Sequence, residues 1–118
     1  MKTWRAIAIR QPFAENIAAG RKRVECRSYR THHRGPIIII ASGSWHACAT
    51  PRDRAQLSRS CLVCIVDIVD VEGDRGEFRW LLARARRLIQ TPYTRSRITT
   101  FQLESDVVVR LSTKGSRP

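Results

Sequence analysis

Apolar and polar residues alternate in some segments of this chain, form continuous apolar runs in others, and show helical spacing in one. Residues 3–9 alternate as expected for a β-strand. Between Pro12 and Gly20, apolar side chains recur three and four positions apart, which predicts a short helix over about residues 12–19. Proline suits the first turn of that helix and glycine suits its end. A second strand is predicted from Val24 to Arg30.

The most continuous apolar runs lie in the middle of the chain. Ile37–Ala41 follows a turn and predicts a buried strand, and Cys61–Val71 predicts the longest strand. The polar stretch over 43–60 predicts a loop with at most one helical turn. Later predicted elements are a single turn over 78–82, a strand over 83–90 and closing strands over 98–103 and 107–111. These elements predict an α+β fold, a small mixed β-barrel of five to seven strands with one or two flanking helices.

Length and composition favour a single domain. The chain has 118 residues, of which 42% are hydrophobic, and we expect one domain over residues 1–112 and a basic C-terminal tail over 113–118. The longest apolar run, Pro36–Ala41, is too short to cross a bilayer. Residues 1–10 lack the pattern of a secretory signal. We therefore expect a cytoplasmic protein with no membrane partner and with reduced cysteines.

Positive charge changes this picture most. The chain has 22 Lys and Arg against 10 Asp and Glu, a formal net charge of +12 and a pI near 11.2. Such a surface attracts polyanions. The excess recurs at Arg21–Arg23, Arg27–Arg34 and Arg84–Arg87, which is typical of a charged face on a folded domain. The alternative is that these arginines only keep the protein soluble.

The cysteines offer a possible metal or redox site. Cys61 and Cys64 have the C-x-x-C spacing of such sites, and His46 and Cys48 could complete a set of four zinc ligands. However, residues three apart on a strand point to opposite faces, and an apolar strand favours buried thiols. We expect Cys26 to be a core thiol as well. The sequence therefore predicts no metal site and no cofactor.

A dense polar cluster lies around the start of the second predicted strand. Glu25, Arg27 and Tyr29 share one face of that strand, and Lys22 lies in the turn before it. The two cations could hold phosphate oxygens, and the tyrosine could stack on an unpaired base. Glu25 could accept a hydrogen bond from a base or orient the ammonium of Lys22. The alternative is an exposed ion pair beside a half-buried tyrosine, which stabilises little.

Three ordered motifs around this cluster resemble the ASCH domain, the activating signal cointegrator-1 homology domain of the PUA-like β-barrel superfamily. They are Ile7–Ala14, the signature G-x-K-x-x-E-x-R over Gly20–Arg27, and His33–Pro36 before the isoleucine run. The resemblance covers about residues 4–111. It implies a PUA-like barrel that binds nucleic acid, RNA more often than DNA, in a cleft between the barrel and its flanking helices.

By this resemblance, Lys22, Glu25 and Arg27 line the cleft, and Arg10 and Gln11 lie near its rim. From side-chain chemistry, we expect aromatic residues to offer stacking surfaces; the candidates are Tyr29 and Trp45. The predicted nucleic-acid-binding residues are Arg10, Gln11, Lys22, Glu25, Arg27, Tyr29 and Arg30.

Some bacterial members of this family are enzymes, namely N4-acetylcytidine amidohydrolases and reported ribonucleases. In the amidohydrolases, the signature lysine activates a threonine three residues later. This chain has Glu25 there, so that route lacks its nucleophile. A ribonuclease remains open, with cations on the phosphate and a base from Glu25, Asp67, His32 or His33. The candidate catalytic residues are therefore Lys22, Glu25 and Asp67.

Overall fold

The computed structural model describes residues 4–93, 98–99, 102–103 and 109–113. Within these ranges, seven strands form one sheet in the order β2-β5-β4-β3-β1-β7-β6. Neighbouring strands are antiparallel except β1 and β3, which are parallel. In chain order, the elements are β1 (Trp4–Gln11), α1 (Phe13–Ala18), β2 (Val24–Arg27), β3 (Gly35–Trp45), α2 (Pro51–Gln56), β4 (Cys61–Asp74), β5 (Glu77–Arg87), β6 (Ile98–Thr99) and β7 (Gln102–Leu103).

The fold is α+β, as predicted, and is that of a small PUA-like barrel with two short helices. Register shifts in β4 lie between Ile65 and Asp67 and between Ile68 and Asp70. Bulges of this kind bend a strand and increase its twist, so the sheet curves into a half-barrel. Among the described residues, no helix is long and apolar enough to cross a membrane.

Both faces of the central strands are buried. Every residue of Ile37–Ala41 is at most 3% exposed, which explains why this run shows no alternation with polar residues. On one face, Ile37 and Ile39 pack in the cluster that also contains Ile17 of α1. On the other face, Ile38 and Ile40 pack with residues of β1 and β4.

Several element predictions are confirmed, and others are corrected. The helices α1 and α2 lie where they were expected. The second strand, β2, ends at Arg27 and not at Arg30. The turn predicted over 78–82 is wrong, because β5 runs without a break from Glu77 to Arg87 between β2 and β4. In the predicted closing strand over 107–111, Leu111 pairs with Leu88, whereas residues 104–108 lie outside the described ranges, as do 114–118 of the predicted tail.

Cys61 and Cys64 are buried thiols in an apolar strand, as predicted, but the expectation that they point to opposite faces is wrong. Ile39 pairs with Cys64 and Ile40 pairs with Leu62, so Val63 between them forms a bulge in β4. This bulge places the side chains of Cys61 and Cys64 in the same core cluster. Cys26 was expected in the core and is exposed. Its strand, β2, lies at the edge of the sheet and has no buried residue.

Replacement of Gly73 tests the hairpin between β4 and β5. Its φ is +106°, and an added Cβ would overlap the backbone carbonyl of Glu77. We expect Gly73→Ala to lower the free energy of unfolding by at least about 3 kcal/mol in urea denaturation. Gly35→Ala is the control, because its φ is +96° with nothing within 4 Å of the added Cβ, and about 1 kcal/mol is expected. Equal losses would contradict the steric explanation.

Candidate functional site

The loop after α1 places Lys22 at the edge of the sheet. Gly20, with a φ of +79°, ends the helix in a conformation that glycine adopts without strain. The backbone N–H groups of Arg21 and Lys22 then both donate to the carbonyl oxygen of Asn16, each at 2.9 Å. This closure fixes the backbone of Lys22 two residues before β2 begins.

Lys22, Glu25 and Arg27 meet at one carboxylate, and we call these three residues the signature triad. Lys22 Nζ lies 3.5 Å from Glu25 Oε1, and Arg27 Nε lies 2.9 Å from Glu25 Oε2. The side chains are 25%, 13% and 23% exposed, respectively, so the triad is partly shielded but still reached by solvent. The sequence prediction that these groups lie together is confirmed.

Both cations of the triad are also held by the backbone. Lys22 Nζ donates to the carbonyl oxygen of Val24, and it lies 5.5 Å from the ring centroid of Phe13. Arg27 Nη2 donates to the carbonyl oxygen of Ala8 at 3.2 Å, which ties β2 to β1. The N–H at Nε of Arg27 has no acceptor in hydrogen-bond geometry among the described residues, although Glu25 is close. The positive charges are therefore oriented before any ligand arrives.

A cavity of about 170 Å³ adjoins the triad on the side of α1. Its apolar walls come from α1, β4 and β5, whereas its polar groups are basic. The lining residues are Ile17, Gly20, Lys22, Arg23, Val66, Leu82, Ala83, Arg84 and Ala85. Such a combination suits a ligand with an anionic part and an apolar or aromatic part.

A bidentate ion pair joins Glu15 of α1 to Arg87 at the end of β5. Arg87 Nη1 and Nη2 donate to the two carboxylate oxygens of Glu15 at 2.9 and 2.7 Å. These hydrogen bonds raise the pKa of Arg87, so its charge is fixed. Nearby, burial raises the pKa of the Cys64 thiol to about 12. Cys64 is therefore protonated at neutral pH and is a poor nucleophile.

Tyr29 and Arg30 lie beyond the end of β2, next to other aromatic residues. The Tyr29 ring meets Trp80 edge to face, with centroids 5.7 Å apart, and the Arg30 guanidinium lies 5.5 Å from the Phe78 ring. A second cavity of about 350 Å³ lies between Arg27 and the β4–β5 hairpin. Tyr29 and Arg30 are both exposed. They extend the triad along the sheet edge without being part of its ion pairs.

Gln11 was expected at the rim of the cleft, but its side chain is buried and has a structural role. The side chain is 1% exposed, its amide nitrogen donates to the carbonyl oxygen of Ser58, and its amide oxygen accepts from the backbone N–H of Glu15. It therefore joins β1, α1 and the segment before β4, and is not presented to a ligand. Arg10, the preceding residue, is exposed.

Asp67 lies between two arginines. Arg84 Nε is 2.7 Å from Oδ2, and Arg86 Nη2 is 3.0 Å from Oδ1. Burial acts to raise the pKa of Asp67, but hydrogen bonds from Arg86 and Arg84 outweigh it and lower the pKa. A carboxylate with a lowered pKa is a weak general base. It does not line the cavity beside Lys22, so the candidate bases are not all brought together.

The two candidate histidines belong to the turn before β3. His33 Nε2 lies 2.8 Å from the carbonyl oxygen of Pro36, and its backbone N–H donates to Thr31 Oγ1. His32 is exposed. The His33 ring therefore braces the turn, which accounts for its presence without catalysis.

Sequence reasoning missed the residues that complete the site from distant parts of the chain. Arg84 lines the cavity from β5, where its φ is +58° at a bulge, and Glu15 and Arg87 meet across 72 positions. The run Arg84–Arg87 was visible as a basic segment, but nothing in it showed which arginines face the cavity.

The fold is that of a small PUA-like β-barrel domain, and the signature triad lies at the edge of its sheet. A family model for the ASCH domain matches residues 7–105, most of the 118-residue chain. The chain therefore belongs to the ASCH domain family. A search of curated proteins found no match.

Removal of the shared carboxylate tests the triad. In Glu25→Gln, two partly buried cations lose their anion, and we expect the free energy of unfolding to fall by about 1–3 kcal/mol. Glu72→Gln is the matched control, because Glu72 pairs with Arg79 on the exposed surface, and a change within about 0.5 kcal/mol is expected. Urea denaturation measures both. Equal effects would mean that Glu25 forms only a surface ion pair.

Asp67 predicts a pH dependence of stability. Because its pKa is lower in the folded protein than in the unfolded chain, its ion pairs stabilise fully above the unfolded pKa and lose this effect as the pH falls through the folded pKa. We expect Asp67→Asn to cost on the order of 1 kcal/mol at neutral pH, and this cost to shrink towards zero as the pH falls through and below the ordinary range of aspartate. Denaturation of both proteins across this range measures the difference. A constant difference would contradict the assigned ionisation.

Proposed function

We propose that this ASCH domain binds single-stranded RNA, with the signature triad at the centre of its binding site. The observation that carries the proposal is the position of Lys22 and Arg27, whose charges are held side by side on one half-buried carboxylate beside a cavity. The triad has one more cation than anion, and Arg23 and Arg84 add charge at the cavity wall. An entering phosphate would meet cations that lose little freedom on binding.

An exposed aromatic residue beside the triad favours a single strand over a duplex. Tyr29 is 37% exposed and is braced by Trp80, and Arg30 lies over Phe78. Unpaired bases can stack on such rings, whereas the bases of a duplex cannot. The small cavity beside Lys22 is suited to one phosphate or one base edge. RNA is proposed ahead of DNA on the basis of the family.

The triad supports binding better than catalysis. Lys22 is paired with Glu25 and donates to a backbone carbonyl, so its amine is held as a hydrogen-bond donor and is not presented as a nucleophile. Asp67 does not line the cavity, and its charge is neutralised by Arg84 and Arg86. A binding module is therefore the proposed function, and a cytoplasmic location is proposed with it, since all four cysteines are unpaired.

Loss of both cations of the triad should weaken RNA binding. For Lys22→Gln/Arg27→Gln, we expect at least about tenfold weaker binding of a labelled single-stranded RNA, and a salt slope reduced by about 1.4. Fluorescence anisotropy at several salt concentrations measures both quantities, with circular dichroism to confirm folding. A single-stranded DNA of the same sequence, run in parallel, tests the preference for RNA.

The control is Arg5→Gln/Arg52→Gln, which removes the same charge from two exposed positions on β1 and α2. A similar loss in this control would show that bulk charge, and not the triad, binds RNA. The recovered RNA is also run on a denaturing gel. If the wild-type protein yields cleavage products and Lys22→Ala does not, the domain is a ribonuclease and not a binding module.

A further inference from the structure

A row of aromatic rings leads from the signature triad towards α2. The ammonium of Lys22 lies 5.5 Å from the centroid of the Phe13 ring, and the Phe13 and His46 rings are tilted against each other with centroids 4.6 Å apart. His46 follows the last residue of β3, and its backbone N–H donates to the carbonyl oxygen of Gln11 at 2.8 Å. Both rings are half-buried.

The row continues at Trp45, which carries two arginines. The guanidinium groups of Arg59 and Arg54 lie 4.9 and 5.4 Å from the centroid of its ring. Trp45 pairs with Gln11 at the end of β3. The side chain of Gln11 is directed to α1 and Ser58, and Trp45 directly precedes His46, so Trp45 and its arginines lie near the Phe13–His46 pair.

The helix that supplies Arg54 contributes nothing to the core. None of the six residues of α2, all of which are described, is buried. The helix is held instead by the capping box of Thr50 and Asp53 and by the contact between Arg54 and Trp45. A helix without an apolar face is rarely explained by packing. Its arginines are exposed and carry charge at the surface.

We propose that these residues, Phe13, His46, Trp45, Arg54 and Arg59, form an aromatic track that binds the RNA strand where it leaves the triad. The inference rests on the proposed RNA binding and adds the path of the strand and the length that the protein recognises. Alternating rings and cations suit a flexible single strand, because bases stack on the rings while phosphates meet the guanidinium groups. Arginines already stacked on Trp45 lose less freedom when they bind a phosphate.

The experiment compares a short RNA, which fills only the triad, with a longer RNA that also reaches the track. With oligonucleotides of about 3 and about 10 nucleotides, we expect Arg54→Gln/Arg59→Gln to weaken binding of the long RNA by about tenfold and that of the short RNA by less than about twofold. The matched control is Arg5→Gln/Arg52→Gln, in which Arg52 lies on the same helix but contacts Gln56 instead of a ring.

Tryptophan fluorescence gives a second readout that does not depend on charge. We expect the long RNA to quench the wild-type protein and to quench Trp45→Phe much less, because Trp45 is the ring placed on the track. The short RNA is expected to leave the emission almost unchanged. Equal quenching of both proteins would overturn the track.

The outcomes separate the track from the proposed function. If Lys22→Gln/Arg27→Gln weakens both RNAs while Arg54→Gln/Arg59→Gln behaves like its control, the track is wrong and RNA binding by the triad stands. If the wild-type protein binds neither RNA, both proposals fail. If Arg54→Gln/Arg59→Gln loses affinity for the long RNA but not for the short one, the result supports both proposals.

Discussion

Burial of both faces of the central sheet is the constraint that decides where this domain can perform chemistry. Ile37–Ala41 of β3 and the apolar half of β4 have no face in contact with water. A polar side chain there would lose its hydration without a partner. Charged groups therefore lie elsewhere: on the edge strand β2, in the loops, at the ends of strands, and in β4 and β5 outside the apolar half of β4. The signature triad lies on the first of these, and the aromatic track lies at the end of β3.

At the edge, Glu25 turns two mobile cations into an ordered pair. Each cation also donates to a backbone carbonyl, so the triad is fixed to β1 and β2 as well as to the carboxylate. A phosphate bound there would compete with Glu25, so the triad by itself favours position over high affinity. The net charge of +12 would supply the long-range attraction, and neighbouring contacts would supply the rest of the affinity.

Features determined by neighbours in sequence were predictable. The period of apolar residues gave α1 and the central strands, because burial selects side chains by the geometry of each element. The triad was predictable for the same reason. Lys22, Glu25 and Arg27 are separated by three and two positions around a turn and a strand, and this spacing alone brings them together.

Long-range packing decided the rest. The segment over 78–82 is a strand because β2 and β4 pair with it on both sides. Gln11 is buried because α1 and Ser58 complete its hydrogen bonds, and Asp67 is neutralised because a bulge in β5 brings Arg84 to it. The sequence alone determined α1, the central strands and the signature triad. Only the tertiary structure decided the cavity and the partners of each charge, since those contacts join residues far apart in the chain.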